Sequence, residues 1–294
     1  MSSTFASPKP AQDVVKFALS KIGDIATLPE ITSRIIAVVD DPKSTARDLH
    51  NIIKNDPALA TKILKVVNSA FYGLPGQVSE IDRAIVLLGL SAVKNIAISA
   101  SISRLFSGER ISDKFSARDI WKHSVAVAVA TRQFAAHAGR RVFAEEAFLA
   151  GLIHDLGLLV ERQAYPEQLA EVIRQAVKGG RPFCEIEQEI IGADHQTLGS
   201  ALAAKWKFPR ALQTVLGYHH NVSNLSAEHR LLPTMVFAAD TLCGHERYGF
   251  YLTAEGQALD DRLLESIGLT EAQFNTVREE LPEQIEAAEA ILTG

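Results

Sequence analysis

The stretch FLAGLIHDLGLLV, from Phe148 to Val160, sets an ionisable pair, His154-Asp155, in the middle of an apolar run with helical spacing. A single unsatisfied polar group in a core costs on the order of 1–3 kcal/mol, and a charged one more, so this pair needs partners. Adjacent residues of a helix point about 100° apart, yet an Asp and a longer His still reach a common point. A metal ion is the usual reason for such convergence.

Outward from the pair, nearly every segment repeats with a 3.6-residue period and none alternates as a strand would. The expected fold is all-α. A first helix from about Gln12 buries Val14, Phe17, Ala18 and Ile22, with Gly23 placed to stop it. Leu28-Pro29 opens a second. Thr45 with Asp48, and Asp56-Pro57, mark further helix starts, and Ser79 with Asp82 has capping-box spacing. Beyond the pair, helices are expected near Leu169–Ala176, Glu185–Ile191, from Asp194-His195, from Pro209 to Tyr218-His219-His220, and around Met235 to Asp240. Thr270 and Gln273 cap a surface helix. The polar break Ser107-Gly108-Glu109-Arg110 divides the chain into two expected packed helical subdomains, 1–108 and 109–294.

Composition bounds the function. The chain has 294 residues, 47% hydrophobic and 22% charged, as a soluble globular protein does. Its net charge of −5 is uneven: from Glu255 onward ten acidic residues face only Arg262 and Arg278. The remainder is mildly basic, too weakly so for a nucleic-acid footprint. Two short helices around Leu88-Gly89 raise a helix-turn-helix alternative, but the few Lys and Arg nearby form no patch, so nucleic acid is not an expected partner. Cys184 and Cys243 are isolated thiols, which fits a reducing compartment and no Cys-rich zinc site. The N-terminus lacks a signal pattern, and the apolar run Ala84–Ile102 is broken by Lys94 and Asn95. A cytoplasmic protein with no membrane span is expected.

Three upstream segments, LPEITSRIIAVVDDP, IIKNDPALATKILKVVNSAFYG and IDRAIVLLGLSAVKNIA, resemble the HDOD domain, a bacterial signalling family within the HD superfamily of metal-dependent phosphohydrolases. His123, His154-Asp155 and Asp240 fit the ligand order of that superfamily, and His195 with His219-His220 matches the extra ligands of its dinuclear members, including the HD-GYP phosphodiesterases. The resemblance implies an HD-like helical bundle in the C-terminal subdomain and a mono- or dinuclear divalent metal site, Fe, Mn, Zn, Ni or Mg. Imidazole with carboxylate suits such ions, and every implied ligand lies in or beside an apolar helical segment. Asp119, one helical turn before His123, is expected to orient that ring as a supporting partner.

Catalysis is less well supported. HD-GYP enzymes follow HD with a small apolar residue, Gly and a phosphate-neutralising Lys; here the run is His154-Asp155-Leu156-Gly157-Leu158, and no GYP signature follows His220. Electrostatic stabilisation of the phosphoryl group is usually the largest catalytic term. Lys122 and Arg162 lie nearby but read as surface charges. The resemblance therefore implies a non-catalytic signal-transduction module acting on regulatory or signalling proteins. The alternative is a metal-dependent phosphohydrolase for a nucleotide or cyclic dinucleotide, and a third reading is a nucleotide-binding sensor. No receiver, kinase or cyclase sequence accompanies these motifs.

Overall fold

The computed structural model describes residues 10–23, 30–40, 43–69, 72–106, 112 and 115–292. Among them are sixteen α-helices and no strand. The first, α1 (Ala11–Lys21), precedes a group of five: α2 (Glu30–Asp40), α3 (Ala46–Ile53), α4 (Pro57–Val67), α5 (Ile81–Leu88) and α6 (Leu90–Ile102). Next come α7 (Ala117–His137), α8 (Ala144–Ile153), α9 (Leu156–Ala164), α10 (Pro166–Ala176), α11 (Phe183–Ile190), α12 (His195–Lys205) and α13 (Arg210–Tyr218). The chain closes with α14 (Ala227–His245), α15 (Asp261–Ser266) and α16 (Glu271–Leu292). Pro29 and the break at 107–110 lie outside the described residues.

Local chemistry sets most helix starts. Thr45 and Asp48 form a reciprocal capping box, and Asp56 accepts from the Leu59 amide at 2.9 Å with Pro57 at the first helical position. Thr270 and Gln273 bond as their spacing predicts. At α5 the expected box is absent: Glu80 is the cap, and Asp82 turns away to His50 at 2.6 Å. Ser116 and Asp119 form a box that was not anticipated.

In the group α2–α6, α6 is the apolar spine, with ten of its thirteen residues buried. Covered on nearly all sides, α6 serves as a packing helix. α6 packs in turn on α8, and one continuous core runs through the molecule. α7 is the pillar of the second half, with α8, α14 and α16 against it; its Ala and Val positions from Val125 to Ala130 are all fully buried. α1 lies on α9 and α12, where Tyr165 donates to the Val14 carbonyl at 2.9 Å. Phe17, expected inside, is 41% exposed and rests against the Tyr165 ring. Among the described residues no helix is long and apolar enough to cross a membrane.

Candidate metal centre

The pair His154-Asp155 does not lie within one helix, as the apolar period suggested, but at the junction of two. His154 caps the end of α8 and Asp155 the start of α9, with φ −97° and ψ 18° at Asp155. Breaking the helix there relaxes the 100° divergence of neighbours and aims both side chains into one chamber. Gly157 makes the junction fit: a Cβ there would lie 1.8 Å from the His195 carbonyl oxygen, so α9 rides directly on the first residue of α12. Gly249, at φ +63°, does the same on the opposite wall, where the Phe250 amide donates to the Asp119 carbonyl at 2.9 Å.

All seven expected ligands meet. His123, from α7, His154 and Asp240, from α14, place donor atoms within 4.8 Å of one another, and so do Asp155, His195, His219 and His220. The two carboxylates join the groups. Asp155 sends Oδ2 to His154 Nε2 at 3.3 Å and Oδ1 to His195 and His219 Nε2 at 3.4 and 3.5 Å. Asp240 sends Oδ1 to His123 Nε2 at 2.8 Å and Oδ2 to His220 Nδ1 at 3.6 Å. His219 and His220 both reach the centre, their ring centroids 4.2 Å apart.

The outer nitrogens decide the chemistry. A carbonyl or carboxylate only accepts, so the ring nitrogen against it carries the proton. His123 Nδ1 donates to the Tyr248 carbonyl (3.0 Å), His154 Nδ1 to Gly151 (2.7 Å), and His219 Nδ1 to Val215 (3.0 Å). His195 Nδ1 donates to Glu187, 2.8 Å from Oε2. At His220, Nδ1 lies 2.6 Å from the Gln257 amide, whose other end meets the Thr241 hydroxyl at 2.7 Å. That hydroxyl has one proton and lies 2.8 Å from the Phe237 carbonyl. The Gln257 NH2 donates to His220 Nδ1 and to the Thr253 carbonyl at 3.4 Å, and the Thr241 hydroxyl donates to the Gln257 carbonyl, so His220 carries its proton on Nε2, 3.0 Å from His195 Nε2. In their neutral forms His123, His154, His195 and His219 then point a bare Nε2 lone pair inward, towards two carboxylates, while His220 turns Nδ1 to Asp240.

That arrangement repels itself without a cation. His154 Nε2, Asp155 Oδ1 and Asp240 Oδ2 have no hydrogen-bond partner although fully enclosed. Six of the seven residues have no exposed surface, and the His220 side chain has 7%. Burial lowers the His219 ring and drives His220 further towards the neutral form, the neighbouring histidines adding to it there; at His154 burial opposes protonation, but the Asp155 and Asp240 carboxylates outweigh it and raise the ring. Burial opposes ionisation of Asp155, but His154, His219 and His195 outweigh it and hold the carboxyl far below the usual range. Neutral imidazoles and ionised carboxylates are the forms that ligate metal. The residues fit a pair of divalent ions.

Asp119 is a correction. Its carboxylate bonds the Ser116 amide and hydroxyl at 2.8 and 2.6 Å, so capping α7 occupies it, and the Tyr248 carbonyl orients His123 instead. Leu158, in the place of the missing lysine, is fully buried core, and Lys122 and Arg162 are half-buried. Two buried carboxyls gave no sequence signal: Glu187, which bonds both the ring and the amide of His195, and Glu161 behind it. Burial and the neighbouring Glu187 charge push the Glu161 carboxyl well above the ordinary range, towards the protonated form. Glu185 to Ile191 does read as a helix, but nothing local says that Glu187 faces a histidine eight residues on.

Comparison with known proteins agrees with this architecture. The HDOD domain model matches residues 25–222, and the chain belongs to the HDOD domain family. An HDOD domain protein of unknown function from Geobacter sulfurreducens superposes with a TM-score of 0.77 at 22% identity, covering 96% of this chain and 99% of that one. A candidate phosphohydrolase from Shewanella amazonensis gives 0.71 at 21% identity, covering 94% and 98%. A candidate signal transduction protein from Marinobacter aquaeolei gives 0.76 at 22% identity, with 96% of this chain and 66% of that one covered. An uncharacterised protein of Treponema pallidum is 26% identical over 223 residues; the match takes in 76% of this chain and 43% of that relative's length.

Proposed function

We propose that the chain is a regulatory HDOD module in which the metal centre is a clasp rather than a catalyst, with output through regulatory or signalling proteins. The observation that carries this reading is the closure of the centre: six ligands have no exposed surface, and Leu158 fills with core packing the place where phosphate would be met by charge. A phosphohydrolase has to present its metal to substrate oxygens. Six helices end or pass at the centre, so bound ions would tie α7, α8, α9, α12, α13 and α14 together. His123, His154 and Asp240 would hold one ion, His195, His219 and His220 the other, with Asp155 shared. Five imidazoles favour Fe, Mn, Zn or Ni over Mg, which prefers oxygen.

The second reading, a metal-dependent phosphohydrolase acting on a nucleotide or cyclic dinucleotide, is favoured by the full ligand set in two groups. Bound metal would supply an acidified water and a clamp for phosphate oxygens. Elemental analysis of purified protein, followed by a hydrolysis panel of nucleotides and cyclic dinucleotides with added Mn or Fe, separates the two. Metal bound without turnover is the expected result. Turnover abolished by Asp155→Ala would establish the enzyme instead.

A further inference from the structure

A cleft of about 760 Å³ is lined by residues of α6, α8 and the start of α13, and none of them belongs to the metal centre. One end is the start of α6, whose cap, Gly89, offers no side chain to the first-turn amides. Uncapped N–H groups at a helix start attract anions, and Lys94 and Arg141 line the same cleft. Arg141 is exposed and has no ion-pair partner among the described residues. The far side is apolar, built by Phe143, Leu149, Pro209 and Leu212.

The second observation comes from the depth of the cleft. Asn95 lines it with only 4% of its surface exposed, and its amide has no hydrogen-bond partner among the described residues. Its two donors and two acceptor lone pairs open onto the cleft and are free to meet a ligand there. Glu146 lines the same cleft; burial raises its carboxyl above the ordinary range, with Lys94 partly opposing. Glu145 is engaged elsewhere, by Arg132 at 2.9 Å and the Tyr72 hydroxyl at 2.8 Å, so it presents little free charge to an anion.

We propose that this cleft binds a small phosphate-bearing nucleotide, with the phosphate at the start of α6 beside Arg141 and the base edge against Asn95 and Glu146. The volume suits a ligand of that size, and clefts between packed helical units are common ligand sites. The apolar wall offers a surface for the base, and the amide and carboxyl together offer donors and acceptors to its edge. A protein partner would not reach Asn95 at that depth. Occupancy has a route to the metal centre, because Leu149 is on α8, which ends at His154, and Leu212 is on α13, which ends at His219.

Isothermal titration of the full, metal-loaded chain with AMP and GMP, with adenosine and inorganic phosphate as fragments, tests the site. One of the two nucleotides is expected to bind in the micromolar range and each fragment at least about 10-fold more weakly, a difference of about 1.4 kcal/mol. Arg141→Glu, a surface change, and Asn95→Leu are each expected to weaken the nucleotide at least about 10-fold. Wild-type affinity in both variants would overturn the proposal, wherever the nucleotide then sat. So would the absence of heat with either nucleotide up to about 1 mM, and so would inorganic phosphate binding as tightly as the nucleotide. None of these outcomes depends on whether the metal centre turns substrate over.

Discussion

The spine helix α6 and the metal centre are both deeply buried, but they are held in opposite ways. Around α6, apolar residues such as Val93, Ile96 and Ala97 exclude water and themselves have no polar side chain to satisfy. At the centre, seven polar side chains are enclosed with their acceptors turned on one another and three atoms orphaned. Apolar burial is self-sufficient and accrues per unit of area. A buried set of acceptors is stable only together with the cation that answers it. On the proposed reading, the packing around α6 holds without metal, while the centre depends on it.

A comparison of Asp155→Ala with Ile96→Ala, each with metal and in chelator, breaks or sharpens this contrast most strongly. With metal, loss of Asp155 is expected to remove the linked stabilisation, about 4 kcal/mol for an ion at a thousand times its dissociation constant. In chelator the same change should cost far less, because the linked metal stabilisation is already gone. Ile96→Ala should cost about 2–5 kcal/mol under both conditions, since its cavity does not involve the metal. Equal costs for Asp155→Ala in the two conditions, read from denaturant melts, would erase the distinction.

Glu187→Gln tests the support behind the ligands. Removing the charge that holds the His195 Nδ1 proton is expected to weaken metal binding about 10–100-fold while leaving the fold intact. Competition with a chromogenic chelator reads the change, and unaltered affinity would mean that Glu187 does no more than fill space.

The smallest effect concerns Glu161. Its carboxyl is raised in the folded state, so between the unfolded value and the folded one the native protein binds the extra proton. Stability from this group is complete below the unfolded value, about pH 4.5, and is lost as pH rises through the window, by at most about 1.4 kcal/mol per unit. Glu161→Gln should flatten that slope, matching wild type near pH 5 and exceeding it at pH 8. Parallel pH profiles for the two proteins would contradict the assignment.

The ligands were legible because histidine and aspartate are conspicuous in apolar helical runs and because their order matched a known one. Leu158 was equally plain. Asp119 misled because the same residue satisfies two rules: it shares a helical face with His123, yet it also stands three after Ser116, and the local cap won. A similar contest at Asp82 went to His50, thirty-two residues away in sequence. Glu187, the Tyr248 carbonyl and Gln257 left no mark, because each acts on a histidine from a separate element. The helix break at His154-Asp155 was hidden too, since the apolar period continues unbroken across it while Gly157 docks on His195.

The dependence of the fold on metal is tested most directly by the thermal midpoint of one preparation, loaded with Mn or Fe and then stripped by chelator. For a stabilisation of about 4 kcal/mol in a chain of this size, stripping is expected to lower the midpoint by roughly 10 °C, and re-addition to restore it. Identical midpoints in the loaded and stripped protein would contradict a metal clasp at His154 and Asp155.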